Sequence, residues 1–351
     1  MSKIIIHYFT GTGNTAHSVK LIYEHLHALG HEVKTTEVKK DVFPSDNVYD
    51  YQIFAFPVLS WSAPAMMKKY IGQMPEGNNV RTAVLAINGA IFNNGKLIKG
   101  YTGQALEQIE KILKRKNYDV FLTGNASFPD NWTQMTNPCS SQDVEAIFPL
   151  GEAEVSKFIQ NFLTGKTYLY RCGFFNTLWS YAVAGLFGFM GRKMLGKFYI
   201  ADENCTGCGI CAKSCPAKTI TMKSGKPRWG LKCEDCNRCI NICPERAIQT
   251  SLPVMIFQFV LHIALTVLAI LAILTYIPQW NFLNNFFIVI VEIILIILAY
   301  FALLLINVGP VDMLIRYLIK IPAIRRFCSK SHTQKYRRYK APGYNPLVKD
   351  L

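Results

Sequence analysis

The sequence has little charge and is poor in acidic residues. Charged side chains make up 17% of its 351 residues, with 23 Asp and Glu against 38 Lys and Arg, and the formal net charge is +15. Residues 1–165 carry 15 basic and 15 acidic side chains, so the whole excess lies after residue 165. No nucleic-acid-binding motif accompanies this excess, so we expect contact with anionic lipid or an acidic protein and no nucleic-acid partner.

The N-terminus lacks the long apolar run of a secretory signal, because Lys3 is followed at once by a strand pattern. We therefore expect the soluble parts to lie in the reducing cytoplasm. Hydrophobic residues make up 50% of the chain, a high share for a purely soluble protein. This composition favours the presence of a membrane segment.

The first loop lacks two features of common nucleotide sites. An apolar strand at residues 4–9 leads into T-G-T-G-N-T, and a helical pattern continues to Leu29. No lysine follows the glycines, as a Walker-type triphosphate loop would require, and the third glycine of the dinucleotide fingerprint is missing. Loop amides and hydroxyls at a helix N-terminus bind phosphate. The sequence predicts a monophosphate site at Thr10, Gly11, Thr12, Gly13, Asn14 and Thr15.

The rest of residues 1–165 alternates strand and helix patterns. This alternation predicts an α/β, doubly wound parallel sheet with ligand loops at the carboxyl ends of the strands. Strands are expected at 33–38, 51–56, 80–88 and 119–123, and helices at 64–71, 102–115 and 152–162.

Two of the loops that follow strands are candidates to hold a flat ring. Each contains an aromatic residue, Trp61 in the first and Phe92 in the second, that could stack on such a ring. Backbone amides of the same loops could bond its polar edge. The alternative is that both aromatic side chains only pack under their own loops. The candidate ring contacts are Pro57, Val58, Leu59, Ser60, Trp61, Asn88, Gly89, Ala90 and Phe92.

The phosphate loop and the ring loops resemble those of the flavodoxin family, over residues 1–165. The T-G-T-G-N-T run matches that family's loop in full. The ring loops depart from the acidic, aromatic-flanked pattern of carrier flavodoxins. The resemblance implies FMN as the cofactor.

Eight of the eleven cysteines lie between residues 205 and 243, a density typical of a disulfide framework or a metal site. Two segments there follow the spacing C-x2-C-x2-C-x3-C-P. In this pattern three close thiolates bind one cubane [4Fe-4S] cluster and the fourth binds the other cluster. We predict one cluster on Cys205, Cys208, Cys211 and Cys243, and a second on Cys233, Cys236, Cys239 and Cys215. Zinc is the alternative, but zinc sites usually pair two C-x2-C units or use histidines, and this stretch has no histidine.

The order of the two domains resembles EFR1-type flavodoxin-ferredoxin fusion proteins, over residues 1–250. K-P-R-W-G-L-K-C at 226–233 and F-P-D-N-W at 128–132 also carry this resemblance. It implies FMN and two clusters in one polypeptide and names no substrate. The expected domains are a flavodoxin-like domain at 1–165, a linker with an interfacial or interdomain helix at 166–198, and an α+β bicluster ferredoxin domain at 199–252.

Basic residues in the cysteine region are candidates to raise the reduction potentials, because a cluster with four thiolates is anionic. The alternative is that they form a solvated or docking surface. These residues are Lys213, Lys218, Lys232 and Arg238.

Two long apolar runs predict a transmembrane hairpin at 253–310. Residues 254–277 hold no charged side chain, and residues 286–308 hold only Glu292. The intervening turn has no Lys or Arg, whereas ten follow the second run, so both termini and a basic tail at 311–351 are expected in the cytoplasm. Residues 315–326 could lie along the inner membrane surface. Glu292, with His262 across the hairpin, could relay protons or bond a quinone head group, or could only support a helix contact.

These observations predict a membrane-anchored iron-sulfur flavoprotein of the cell membrane. It would transfer electrons between the clusters and FMN and reduce a small or lipid-soluble substrate, such as a quinone-like acceptor. The alternatives are an electron-transfer adaptor between a soluble donor and a membrane partner, and a redox sensor. No side chain is identified as catalytic, although Asp130, Asn131 and Trp132 could line an open pocket over the flavin.

Overall fold

The structure is a computed structural model that describes residues 1–44, 48–186, 192–276 and 282–348. Three parts of the chain that are named above lie outside these ranges. They are residues 187–191 of the linker, 277–281 in the turn of the predicted hairpin, and 349–351 of the basic tail.

The N-terminal domain is a parallel sheet covered by helices on both faces. The strands are β1 (Lys3–Tyr8), β2 (Glu32–Glu37), β3 (Tyr51–Pro57), β4 (Arg81–Asn93), β5 (Lys96–Lys99), β6 (Asp119–Pro129) and β7 (Tyr168–Leu169). Their order is β2-β1-β3-β4-β6-β7, and β5 pairs antiparallel with β4. The first five strands in this order have flavodoxin-like connectivity, which confirms the predicted fold class.

Four helices cover the sheet: α1 (Asn14–Ala28), α2 (Ala65–Gly72), α3 (Ala105–Arg115) and α4 (Ser141–Thr164). The central strands β1, β3 and β4 are buried and mainly apolar on both sides because each face packs on helices. One core joins Ile4 and Ile6 to Ile22 of α1 and Phe158 of α4. The other joins Phe54 to α2 and α3.

Three boundaries in this domain differ from the sequence expectation by five residues or more, and one of them is the end of β6, at Pro129 instead of residue 123. Helix α4 begins at Ser141 instead of residue 152, because Ser140 and Asp143 form a capping box and the helix continues through Pro149. Strand β4 continues to Asn93, where it forms a hairpin with β5.

A connecting region and a small ferredoxin-like domain come next in the chain. The connection contains α5 (Phe174–Leu186) and α6 (Arg192–Lys197). The domain contains β8 (Tyr199–Ala201), α7 (Ile210–Lys213), β9 (Ile220–Lys223), β10 (Lys226–Trp229), α8 (Arg238–Ile242) and β11 (Ile248–Thr250). Strand β9 pairs with β10 and β11 pairs with β8, both antiparallel.

Two long apolar helices, α9 (Leu252–Tyr276) and α10 (Phe282–Ile306), pack against each other. A π-helical turn, α11 (Asp312–Leu318) and α12 (Pro322–Cys328) come after them. The spans Leu252–Tyr276 and Ile288–Leu318 are long and apolar enough to cross a membrane, and only 11% and 6% of their most apolar stretches are buried in the protein. Two membrane-length helices are therefore present where the sequence predicts them.

The suggested pairing of Glu292 with His262 is wrong. The His262 ring contacts Tyr300, with ring centroids 4.9 Å apart. Glu292 lies eight residues before Tyr300 in α10, a separation of about 12 Å at 1.5 Å per residue.

The segment after α10 packs on the rest of the chain and is not an extended tail. A buried cluster contains Ile315 of α11 and Ile319, which directly follows that helix. It also contains Phe198, Ile200 and Val254. Part of the segment expected on the membrane surface therefore packs on the ferredoxin-like domain, while Leu314, Tyr317 and Ile321 stay exposed. Further on, Tyr339 and Ala341 are buried against the N-terminal domain.

Candidate functional site

The eight clustered cysteines line two small cavities, four to each. Cys205, Cys208, Cys211 and Cys243 line the first. Cys215, Cys233, Cys236 and Cys239 line the second. In the described part of the chain, no three His, Cys, Asp or Glu side chains form a group that would hold a single ion. The cysteines are therefore grouped in the same three-plus-one sets that the spacing predicts. Each set surrounds a small cavity and does not converge on the position of a single ion.

The two cysteine loops have the same backbone shape. Gly207 and Gly209 have φ of 77° and 74°, and the residues at the equivalent positions, Asp235 and Asn237, have φ of 53° and 55°. The left-handed region favours Gly and tolerates Asn and Asp better than other residues. The loop shape is thus repeated, although the residues that adopt it are different.

Hydrogen bonds to sulfur support the second loop. The Asp235 amide lies 3.4 Å from Cys233 Sγ, and Trp229 Nε1 donates to Cys239 Sγ at 3.4 Å. Donors of this kind stabilise thiolate ligands and tune a cluster's potential. Burial raises the pKa of the Cys236 thiol to about 12 and that of Cys211 to about 11. Such thiols become ligands because the positive charge of iron offsets the cost of burying a thiolate.

A cavity of about 530 Å³ lies at the carboxyl ends of β1, β3 and β4. This volume is within the range of about 300–1,000 Å³ of small-molecule sites. Most of the predicted flavin contacts line it: Thr10, Gly11, Thr12, Asn14, Thr15, Pro57, Val58, Leu59, Ser60, Trp61, Asn88 and Gly89. Asp130, Asn131 and Trp132 line it as well.

Three predicted contacts lie elsewhere. Gly13 faces the ring of Tyr344, Ala90 is buried within β4, and Phe92 pairs with Leu97 in the hairpin. Phe92 leaves the cavity because β4 continues past the sheet edge instead of ending in a ring loop.

The phosphate loop is held from its back. Arg238 Nε donates to the carbonyl of Gly11 at 3.0 Å, and Arg238 Nη2 donates to that of Thr10 at 2.7 Å. The Ala341 amide donates to the carbonyl of Thr12 at 2.9 Å. Each of these three carbonyls already accepts a hydrogen bond from outside the loop. The carbonyls therefore do not need the loop amides as donors, and those amides can bind an anion. Together with the N-terminus of α1, this arrangement suits a phosphate.

Thr15 gives a test of that fit from the side chains. Thr15 lines the cavity. Its hydroxyl oxygen is buried and has no hydrogen-bond partner among the described residues. A phosphate oxygen would supply the missing partner. The residues present therefore fit an FMN phosphate.

The first ring loop forms a tight turn. Leu59 and Ser62 exchange backbone hydrogen bonds of 2.9 and 3.0 Å, and Ser60 and Trp61 between them both have positive φ. This turn directs Trp61 toward Tyr101, with ring centroids 5.6 Å apart and planes at 23°. Both residues line the cavity. Trp61 therefore packs on a neighbouring loop as well as bordering the site.

The ferredoxin-like domain closes one wall of the same cavity with Asp235, Cys236 and Asn237. A Cβ atom on Gly11 would overlap the carbonyl oxygen of Cys236, so the two loops are in direct contact. Trp132 Nε1 donates to Asp235 Oδ2 at 3.1 Å. Burial raises the pKa of Asp235 to about 8 against the opposing effect of hydrogen bonds from Trp132 and Tyr199.

Arg238 joins the two domains through its guanidinium group. Its side chain is 1% exposed and bonds the carbonyl of Ser214 at 2.8 Å and Glu37 Oε1 at 2.7 Å, in addition to the phosphate loop. It is therefore not part of a solvated surface. Lys218, in contrast, is exposed and pairs with Asp41.

Sequence reasoning missed the contribution of the C-terminal segment and of Tyr101, Val183 and Leu195. The Tyr339 hydroxyl donates to Asn14 Oδ1 at 2.5 Å, and the Tyr344 ring lies against Gly13. No motif marks these residues. Their separation from the loop by more than 300 positions hides the contact from sequence patterns.

Comparison with known proteins covers both domains. Residues 204–254 match the family model for the 4Fe-4S dicluster domain. NADH-quinone oxidoreductase subunit I of Flavobacterium psychrophilum is 46% identical over 44 residues, which are 12% of this chain and 24% of that protein. The chain thus aligns with about a quarter of that relative.

Among solved structures, a flavodoxin from Streptococcus pneumoniae TIGR4 aligns with 46% of this chain and 98% of its own, at 16% identity and a TM-score of 0.31. Flavodoxin 2 from Bacillus cereus aligns with 44% of this chain and 99% of its own, at 19% identity and a TM-score of 0.29. The fold assignment rests on the strand order described above. The chain is therefore a fusion of a flavodoxin-like domain with a 4Fe-4S dicluster ferredoxin domain, followed by two apolar helices of membrane-spanning length.

Proposed function

We propose that this chain is a membrane-anchored iron-sulfur flavoprotein that transfers electrons between two [4Fe-4S] clusters and FMN and reduces a small or lipid-soluble substrate. The observation that carries the proposal is the shared wall: Cys236, a predicted ligand of the second cluster, lines the cavity that contains the phosphate loop. When bound, FMN exchanges single electrons with clusters and electron pairs with organic substrates.

The two cysteine sets differ in how easily an electron donor can approach them. Cys208 of the first set is exposed, whereas Cys233 of the second is buried. A soluble donor can approach the first set at the surface, while the second lies beside the FMN cavity. We propose electron entry at the first cluster and exit through the second.

The shape of the cavity favours an enzyme. Beyond the phosphate and ring loops it extends to Met135, Val183 and Leu195. A carrier that only exchanges electrons does not need an apolar space beside the ring. Asp130, Asn131 and Trp132 would border the substrate, and Thr10, Gly11, Thr12, Asn14 and Thr15 would hold the phosphate.

The adaptor hypothesis keeps one supporting observation, because the exposed Cys208 loop is equally suited to docking a protein partner. The two hypotheses differ in how the reduced chain is reoxidised. An enzyme is reoxidised by a small molecule alone, whereas an adaptor requires its partner protein.

The membrane assignment extends to orientation. We propose that α9 and α10 anchor the chain in the cell membrane with both termini in the cytoplasm, because the segment after α10 is basic. Arg316 donates to the backbone carbonyl of Tyr199 at 3.2 Å, which fixes the anchor against the ferredoxin-like domain.

The test is anaerobic purification of the full chain in detergent, with iron, sulfide and flavin analysis and low-temperature EPR during stepwise reduction. We expect about eight irons per chain and a bound FMN whose reduction comes after that of the clusters. Clusters without flavin would refute the enzyme hypothesis and leave a membrane-tethered ferredoxin.

A matched pair of variants tests the phosphate assignment. Thr15→Val should lower the flavin content while the iron content stays unchanged. Thr164→Val, at an exposed helix end, should change neither. Equal flavin in both variants would count against the phosphate site.

A further inference from the structure

A row of polar side chains lies inside the apolar hairpin. Gln258, His262 and Thr266 are spaced at intervals of four residues and so share one face of α9. Tyr300 of α10 contacts the His262 ring, and Asn307 Nδ2 donates to the backbone carbonyl of Gln258 at 2.8 Å. We call these five residues the hairpin polar seam.

Most polar atoms of the seam are unpaired. Gln258 Nε2, both ring nitrogens of His262, Thr266 Oγ1 and Asn307 Oδ1 are buried and have no hydrogen-bond partner among the described residues. Gln258, His262 and Asn307 are only 2%, 9% and 3% exposed. An unsatisfied polar group in an apolar medium is costly, and its presence in a membrane segment indicates a function.

An apolar cavity of about 400 Å³ adjoins the base of the hairpin. Its lining consists of Met194, Leu195, Phe198, Met255, Ile256 and Phe259. Met255 and Phe259 lie within one turn of Gln258 on α9. Met194, also in the lining, packs with Tyr300 against the same buried pair, Leu304 and Val308. The cavity thus lies beside the seam.

The same cavity also borders the FMN site. Leu195 of α6 lines both spaces, and its carbonyl accepts a hydrogen bond of 2.7 Å from Gln134 Nε2. Helix α6 therefore separates the two cavities. A molecule in the apolar cavity would have the polar seam on one side and the FMN cavity across α6.

We infer that the seam and the apolar cavity bind a lipid-soluble molecule of the quinone class. A quinone head group is flat and carries carbonyl oxygens, which match the unpaired donors on Gln258 and His262 and the aromatic faces of His262 and Tyr300. Its apolar tail matches a cavity without polar lining. For the head group to reach the seam from this cavity, a lining side chain such as Met255 must change rotamer, and Met255 is unbranched and adaptable.

A partner helix explains the seam less well than a small ligand. Gln258, His262 and Asn307 are each at least nine-tenths buried. Their unpaired atoms therefore face the interior between α9 and α10. A second membrane protein would contact the outer faces of the hairpin, which carry exposed apolar side chains such as Phe257, Val260 and Leu271.

This inference names the substrate class for the proposed function and rests on that function for the supply of electrons. Binding itself is measured on the full chain in lipid nanodiscs by calorimetric titration with decylubiquinone, with empty nanodiscs as the blank. We expect saturable binding at one site per chain. His262→Leu and Gln258→Leu should each weaken it about tenfold, as the loss of a hydrogen bond from a dry site predicts.

Thr275→Val is the matched control. Thr275 lies on the same helix, outside the seam, and its hydroxyl bonds the carbonyl of Leu271 at 2.7 Å. Binding to this variant should equal that of the unaltered chain. Iron and flavin contents should be the same in all variants, which shows that they fold.

The possible outcomes separate this inference from the proposed function. Saturable binding that is about tenfold weaker in His262→Leu supports the site, whether or not flavin is present. Absence of saturable binding, or equal binding to His262→Leu, overturns it, even if FMN and clusters are found. Equal binding accompanied by a change of oligomeric mass in His262→Leu also overturns it, because the seam would then serve contact between copies.

Discussion

The two cysteine motifs have the same spacing and different surroundings. In the first, Gly207 and Gly209 occupy the left-handed positions, and Cys208 is exposed. In the second, Asp235 and Asn237 occupy them, and their side chains bond Trp132 and the amide of Gln134 in the N-terminal domain. The cysteines thus determine which thiols group together, whereas the residues between them determine which group faces the flavin cavity.

The difference continues one residue further along each motif. Ile210 stands in the first motif where Arg238 stands in the second. Arg238 bonds the phosphate loop through two carbonyls and Glu37 through its side chain. A buried Arg that donates four hydrogen bonds holds two backbones in a defined arrangement. The second motif is therefore a structural part of the flavin site as well as a ligand loop.

The largest expected effect comes from removing one ligand in each motif. Cys208→Ser and Cys236→Ser should each lower the iron content by about half, since each removes one of two cubane clusters. Cys208→Ser should retain the full flavin content. Cys236→Ser should lose flavin as well, because its loop forms a wall of that cavity. Metal and flavin analysis with EPR measures both, and equal flavin content in the two variants would show that the motifs are equivalent.

A smaller effect is expected when the second motif is made like the first. Arg238→Ile leaves three carbonyls without donors, and it leaves Lys39 as the remaining ion-pair partner of Glu37. Each buried acceptor that is left unsatisfied costs about 1–3 kcal/mol, so the free energy of unfolding should fall by about 3 kcal/mol or more. Denaturation of the purified chain measures this loss, and flavin affinity should fall with it.

Lys232→Met is the control for that variant. Lys232 is an exposed basic residue next to the same motif. Its replacement should change the free energy of unfolding by less than about 0.5 kcal/mol. If both variants have the same stability, Arg238 does not join the domains.

The smallest effect concerns the C-terminal segment, which contacts the phosphate loop and the second motif. Tyr339→Phe removes the hydroxyl that donates to Asn14 Oδ1. One hydrogen bond contributes about 0.5–1.5 kcal/mol, so flavin affinity should fall by up to about tenfold. Fluorescence titration of the flavin-free chain with FMN measures the change. Tyr336→Phe, three residues earlier, should leave the affinity unaltered.

Local patterns predicted the parts of the site that are continuous in the chain. T-G-T-G-N-T indicated the phosphate loop, because glycines and small hydroxyl side chains directly before a helix are typical of a phosphate site. The cysteine spacing indicated two sets of four. The sequence predicts Phe92 at the cavity, whereas the structure has it in the β4–β5 hairpin, a continuation of β4 that no sequence pattern indicates. Leu195 was not assigned, since a single apolar residue carries no pattern of its own.

The sequence by itself determined the order of the domains, the grouping of the cysteines and the two membrane-length helices, since each depends on residues close together in the chain. Only the tertiary structure decided that Cys236 borders the flavin cavity, that Arg238 and Ala341 support the phosphate loop, and that His262 faces Tyr300 and not Glu292. These contacts join residues that are distant in the chain. Their formation depends on how whole elements pack, and no local periodicity or spacing encodes that packing.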